Sequence, residues 1–213
     1  MTTKTLTYLF DPLCGWCYGA SPAIQKLGQH ATIRLALAPT GLFAGAGGRV
    51  MDAAFADYAW SNDVRIAKLT GQRFTEDYCT KILGQPGSRF DSATSTLALT
   101  AVALTVPQHE LDALKMLQEA RYIHALDTTA VPVVEKLLRD IGLDAAADRL
   151  AAGDTELLAA NAARIQKAQG LMQTFGAQGV PALVVTDENG SRLLRGNALY
   201  GSFDVLLSHI AAA

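Results

Sequence analysis

Strand-like segments in this 213-residue chain sit near its two ends, and more than a hundred residues of helical periodicity separate them. Thr5 to Phe10 carries β-prone residues with partial alternation and stops at Asp11-Pro12. Thr32 to Ala38 alternates strictly enough for a second strand. Val180 to Thr186, with Pro181 near its start, reads as a third, Asp187 to Gly190 as a hairpin turn, and Arg192 to Leu194 as the returning strand. Strands of this length do not stand alone in water, so the two ends must pair into one sheet across the helices between them.

The helices follow from spacing. Cys14 to about His30 offers Ile24 and Leu27 as an apolar face, with Pro22 predicted to kink its early turns. Leu97, Ala101 and Leu104 recur at i, i+4, i+7, and Val134, Leu137, Leu138 and Ile141 at i, i+3, i+4, i+7 before a stop at Gly142. Leu158, Ala162 and Ile165 repeat the first pattern after Asp154, an N-cap residue, and Phe203 to Ile210 closes the chain. The expectation is an α/β fold, β-α-β then β-β-α, with residues 1–45 and 175–213 forming the core and 46–174 an all-helical insertion. No internal repeat is present. Gly41 to Gly48 lacks the Gly-Lys-Ser/Thr ending of a phosphate cradle and reads as a flexible connector into the insertion.

The chemistry concentrates at the first strand-to-helix junction, Cys14-Gly15-Trp16-Cys17. Unpaired backbone N–H groups and the positive end of the helix dipole stabilise a thiolate there, which makes Cys14 the expected nucleophile. Residues i and i+3 share a helical face and their sulfurs can close a small disulfide ring, which makes Cys17 the expected resolving thiol. The same spacing supplies half of many zinc sites, so the motif alone leaves redox chemistry and metal binding both open. His30, His109, His124 and His209 are singletons without paired ligand spacing, and Cys79 reads as a small buried hydrophobe in a helical stretch, so no metal site is expected.

Charge and composition exclude several partners. A net charge of −2 with scattered Lys and Arg leaves no basic footprint for nucleic acid or anionic membrane. No apolar run is long enough to span a bilayer. Met1 to Phe10 is too short and interrupted for a signal peptide, and three cysteines suit a reducing compartment, so a cytoplasmic location is expected.

Phe10-Asp11-Pro12-Leu13-Cys14-Gly15-Trp16-Cys17-Tyr18-Gly19, the helical stretch, and Gly179-Val180-Pro181-Ala182-Leu183-Val184-Val185 together resemble, in order along the whole chain, the DsbA family of the thioredoxin superfamily, in particular its leaderless FrnE-like branch. The resemblance implies a thioredoxin-like fold, a cis peptide at Val180-Pro181 beside the dithiol, a helical insertion over the dithiol face, and thiol-disulfide oxidoreductase or disulfide isomerase activity. Gly15-Trp16 departs from the Pro-His of the exported oxidants and the Gly-Pro of thioredoxin, so neither reduction potential carries over.

Cys14 then attacks a substrate disulfide and Cys17 resolves the mixed disulfide. Val180 and Pro181 hold an extended substrate by strand addition, and Trp16 adds a hydrophobic contact. Asp11 is a candidate proton relay for Cys17, or else an Asp that starts a turn with Pro12. Substrates are protein or peptide disulfides and dithiols. No tightly bound cofactor is expected, with glutathione a candidate redox co-substrate. Two other readings are a glutathione-dependent small-molecule isomerase or transferase of the hydroxychromene carboxylate isomerase or kappa-class kind, and a non-catalytic peptide-binding module. Those enzymes carry a single serine or cysteine where this chain has two cysteines, so Cys17 argues against the first.

Overall fold

A computed structural model describes residues 4–212. Met1 to Thr3, part of the stretch read for a signal peptide, and Ala213 lie outside the described residues. Strand β1 (Lys4–Phe10) lies at the heart of a four-stranded sheet ordered β2-β1-β5-β6. β2 (Ile33–Pro39) runs parallel to β1, the two joined by helix α1 (Gly15–Gly28). β5 (Ala182–Asp187) is antiparallel to β1, with Leu9 opposite Ala182, and β6 (Gly190–Arg195) completes the hairpin. The ends of the chain therefore pair as the sequence requires.

Both faces of the sheet are covered, which is why β1 and β5 are apolar at most positions. Leu6, Tyr8 and Phe10, with Leu183 and Val185, face α1 and the closing helix, which runs Phe203–Ala211. Leu9, Ala182 and Val184 face the opposite side, where Ala168, Leu171, Met172 and Phe175 cover them. This period-two division fixes the register.

Between β2 and β5 come seven α-helices, α2 (Ala53–Thr70), α3 (Glu76–Tyr78), α4 (Ala93–Thr105), α5 (Glu110–Tyr122), α6 (Val131–Asp140), α7 (Asp144–Ala152) and α8 (Thr155–Phe175), and also two paired two-residue strands, β3 (Arg49–Val50) and β4 (Arg89–Phe90), so the insertion is mainly rather than wholly helical. The closing helix is α9. Asp52 and Asp154 cap α2 and α8 by accepting from the N–H groups of Phe55 and Leu157.

Several expectations are corrected. The α8 stripe is rotated: Leu158 is 52% exposed, Ala162 is exposed, and the inward face is Leu157, Asn161, Arg164 and Ala168. Asn161 and Arg164 are inside because they are satisfied there. Thr100 donates to Asn161 at 2.9 Å, and Arg164 donates to Thr100 and to the Leu37 carbonyl and pairs with Glu110. Helix α4 is buried on several sides through Ala98, Leu99, Ala101 and Val102, while Leu104 points outward. Val134 and Leu138 of α6 are buried, whereas Ile141 is exposed. Cys79 opens a π-helical turn (Cys79–Leu83) and is only partly buried. The Gly41–Gly48 stretch is a tight turn rather than a slack connector. A side chain at Gly47 would run into the Leu42 carbonyl, and the Gly45 N–H donates to Asp91 at 3.0 Å.

Pro22 sits inside α1 and leaves the Tyr18 carbonyl without its usual helical donor. Gln72, just past α2, supplies one: its Nε2 donates to that carbonyl at 3.0 Å. The proline thus ties α1 to the insertion.

Candidate active site

Asp11 ends β1 and folds the chain into α1. Its carboxylate accepts from the Leu13 N–H at 2.9 Å, forming the turn with Pro12 that the sequence allows, while its carbonyl accepts from the Cys14 N–H. The other carboxylate oxygen accepts from the Phe43 N–H at 3.0 Å and the Ser92 hydroxyl at 2.8 Å. Asp11 is fully buried, and burial raises its carboxyl despite these three donors.

Cys14 is the N-cap residue of α1, in extended conformation, with no side-chain cap bond of its own. Its Sγ lies 3.7 Å from the Val180 carbonyl oxygen, and the Val180-Pro181 bond is cis. Both cysteines are buried, and of the pair only Cys14 keeps any exposed surface, 7% against none for Cys17. Both are free thiols. Burial pushes the Cys17 thiol well up, and the neighbouring Cys14 pushes it further.

Aromatic hydroxyls hold the dithiol loop from three sides. Tyr8 beneath it donates to the Cys17 carbonyl at 3.3 Å, Tyr122 of α5 to the Leu13 carbonyl at 2.8 Å, and Tyr200 to the Trp16 carbonyl at 3.1 Å. Trp16 is half-buried with its ring 5.4 Å from that of Tyr200, so it packs against the C-terminal part of the chain. Tyr18 is buried and stacks on Tyr122, which gives it a packing role.

The insertion reaches the dithiol through α2. Side chains at Gly15 or Gly19 would collide with Asp63 and Ile66, so two glycines one turn apart let α2 approach α1 closely. Between them lies a cleft of about 210 Å³ lined by Cys14, Gly15 and Trp16 on one side and by Phe55, Tyr58 and Asp63 on the other. Asp63 is 5% exposed, and Tyr78 donates to its Oδ2 at 3.1 Å. Burial pushes its carboxyl up to about 7, opposed by the Tyr78 bond and the positive Arg121.

The structure therefore brings Asp11, Cys14, Trp16, Cys17, Val180 and Pro181 to one end of the sheet. Sequence reasoning missed Asp63, Tyr8, Tyr122 and Tyr200. A signal existed for Asp63, since it falls in phase with Ala56, Ala59 and Ile66, a carboxylate on the inward stripe of a helix. Among the described residues no group of three His, Cys, Asp or Glu side chains is placed to hold a metal, and no helix is long and apolar enough to cross a membrane.

A family profile described as DSBA-like thioredoxin domain matches residues 5–210. The cytosolic disulfide reductase DsbM of Pseudomonas aeruginosa has a similar solved structure, with a TM-score of 0.84, 29% identity and 97% of each chain covered. The same protein solved with GSH superposes with a TM-score of 0.83 at the same identity and coverage. A candidate protein disulfide isomerase from Nitrosomonas europaea shares the fold, with a TM-score of 0.81 and 22% identity over 98% of this chain and 96% of that one. No curated protein matches the chain by sequence.

Proposed function

The chain belongs to the DSBA-like thioredoxin-domain family and is a thiol-disulfide oxidoreductase, and from that premise we propose that it reduces disulfides through Cys14 and Cys17 with glutathione returning the electrons. The observation that carries the reading is the placement of Cys14: a thiol at the N-terminus of α1 that lines a cleft, with a fully enclosed second thiol one turn on and the Val180 carbonyl at 3.7 Å.

Cys14 thiolate attacks one sulfur of a substrate disulfide. The substrate S–S bond breaks, the departing thiolate takes a proton from water, and the other half stays on Cys14 as a mixed disulfide. Cys17 then loses its proton and attacks Cys14, releasing the second thiolate and leaving a Cys14–Cys17 disulfide. Two electrons have passed to the substrate. A first glutathione thiolate opens the Cys14–Cys17 bond at Cys14, and a second removes it as glutathione disulfide, restoring both thiols.

The buried Cys17 needs a proton acceptor, because burial and the neighbouring Cys14 disfavour its thiolate. Asp11 takes that role in this reading: burial has raised its carboxyl, and its charge acts on the Cys17 thiol. Val180 offers main-chain pairing to an extended substrate and Trp16 an apolar contact. The working compartment is the cytoplasm, where the described Pseudomonas reductase acts.

A redox titration in glutathione buffers, quenched by thiol alkylation, tests this. One reversible transition involving two thiols is expected, absent in Cys14→Ser, and its midpoint ranks the protein between reductant and oxidant, with ~30 mV worth about 1.4 kcal/mol. A stable single glutathione on wild-type Cys14 without participation of Cys17 overturns the dithiol reading.

A further inference from the structure

Among the described residues, Asp63 is the sole ionisable acid or base of the Asp, Glu, Lys, Arg and His kind that lines the cleft beside Cys14. The other walls include the rings of Phe43, Phe55, Tyr58 and Phe90, and Arg121 stands behind them, its guanidinium over the Tyr78 and Phe90 rings and outside the cleft lining. Among the described residues only Tyr78 donates to the carboxylate, at Oδ2. Among the described residues none donates to Oδ1, which lies over Gly15, where any side chain would collide with it. Oδ1 is not among the fully enclosed unpartnered atoms, so it opens to the cleft, where a proton, water or a cation can satisfy it. Aromatic faces around an acceptor favour the cation, since they attract an ammonium and do nothing for an anion.

We propose that Asp63 makes this cleft a subsite for a positively charged arm of the substrate, so that Cys14 acts preferentially on disulfides carrying an ammonium group a few carbons from sulfur. The inference rests on Cys14 being the attacking thiol. Gly15 follows Cys14 directly and lies under the carboxylate, and all three residues line one cleft, so a short arm on a sulfur at Cys14 enters the space that Asp63 faces. A substrate carboxylate in the same place meets a like charge in a poorly solvated cleft and is rejected.

The ionisation of Asp63 supplies an independent handle. Its carboxyl, pushed up to about 7 by burial, is faced by Tyr78 of α3, by Arg121 and Tyr122 of α5, by Cys14 at the start of α1, and by Cys79 in the π-helical turn. The ammonium preference therefore grows as pH rises through neutrality and the carboxylate forms. A ratio of two substrates on the same protein removes every pH effect that they share.

Three disulfides of matched length test the proposal in single-turnover reduction by the dithiol protein: cystamine, bis(2-hydroxyethyl) disulfide and 3,3′-dithiodipropionate, each corrected for its uncatalysed rate with glutathione. The wild type is expected to favour cystamine over the neutral disulfide by about tenfold, the worth of one hydrogen bond to a charged group, and to disfavour the dianion. Asp63→Asn returns both ratios to the uncatalysed values, and in the wild type the cystamine ratio rises between pH 6 and pH 8. Ratios equal in the two proteins, or a wild-type ratio flat with pH, overturn the proposal. The pH series decides alone if the variant does not fold. Unchanged reduction by Cys14→Ser instead removes the dithiol reading beneath it.

Discussion

The Sγ of Cys14 lies 3.7 Å from the carbonyl oxygen of Val180, although 166 residues separate the two in sequence. The pairing of Leu9 with Ala182 makes that contact, because it sets the start of β5 beside the end of β1 and the helix that follows it. A dithiol placed there sets Cys14 in the wall of a cleft and encloses Cys17 completely.

That asymmetry predicts what each cysteine does when the other is removed. Treated with glutathione disulfide, Cys17→Ser is expected to keep one glutathione per chain, since nothing resolves the mixed disulfide on Cys14. Cys14→Ser stays unmodified at the dithiol, and the wild type accumulates no adduct. Intact-mass measurement reads all three, and an adduct on Cys17 in the Cys14→Ser protein contradicts the assignment.

Asp11 organises the loop whether or not it moves protons. Asp11→Ala leaves the Leu13 and Phe43 N–H groups and the Ser92 hydroxyl without their acceptor in a fully buried place. Each such loss costs about 1–3 kcal/mol, so urea denaturation should show a decrease on the order of several kcal/mol. Asp11→Asn separates the roles. It keeps the shape, and if the carboxylate accepts the Cys17 proton, resolution of a pre-formed mixed disulfide slows and its pH profile changes.

The strands and the dithiol were legible because their signals are local: period-two alternation, a turn at Asp11-Pro12, and paired cysteines at a helix start. The inward face of α8 was not. Asn161 and Arg164 occupy it, and a polar pair becomes a core position only through partners on other elements, Thr100, Leu37 and Glu110. Asp63 was hidden for a related reason, since its meaning depends on how closely α2 approaches α1. Gly15 and Gly19 decide that approach, and in sequence they read only as small residues.

Gly15→Ala should invert the usual helix preference. Alanine gains about 0.5–1 kcal/mol over glycine in a helix interior, an upper bound for Gly15 as the first residue of α1. Here the added methyl meets the Asp63 carboxylate and comes within 3.2 Å of the Ile66 Cδ1, so a net loss of about 1–3 kcal/mol is expected from overpacking. The double variant with Asp63→Ala should recover part of it, and a thermodynamic cycle from urea unfolding measures the coupling. Simple additivity of the two changes contradicts the contact.

The stability of the whole chain should carry the signature of Asp63. In the unfolded state its carboxyl ionises near the ordinary value of about 3.9, while in the fold burial holds it protonated up to about 7. Between those limits the native state keeps a proton that the unfolded state has released, so raising pH through this window withdraws stability from the fold, and above about 7 the full cost of a buried charge is present. Tyr78 and Arg121 offset part of that cost without cancelling it. Asp63→Asn carries no such charge. Its urea midpoint, relative to the wild type, is expected to rise from pH 4.5 to pH 8 by an amount on the order of a few kcal/mol in unfolding free energy. A difference that stays constant across that range means that Asp63 ionises in the fold as it does in water.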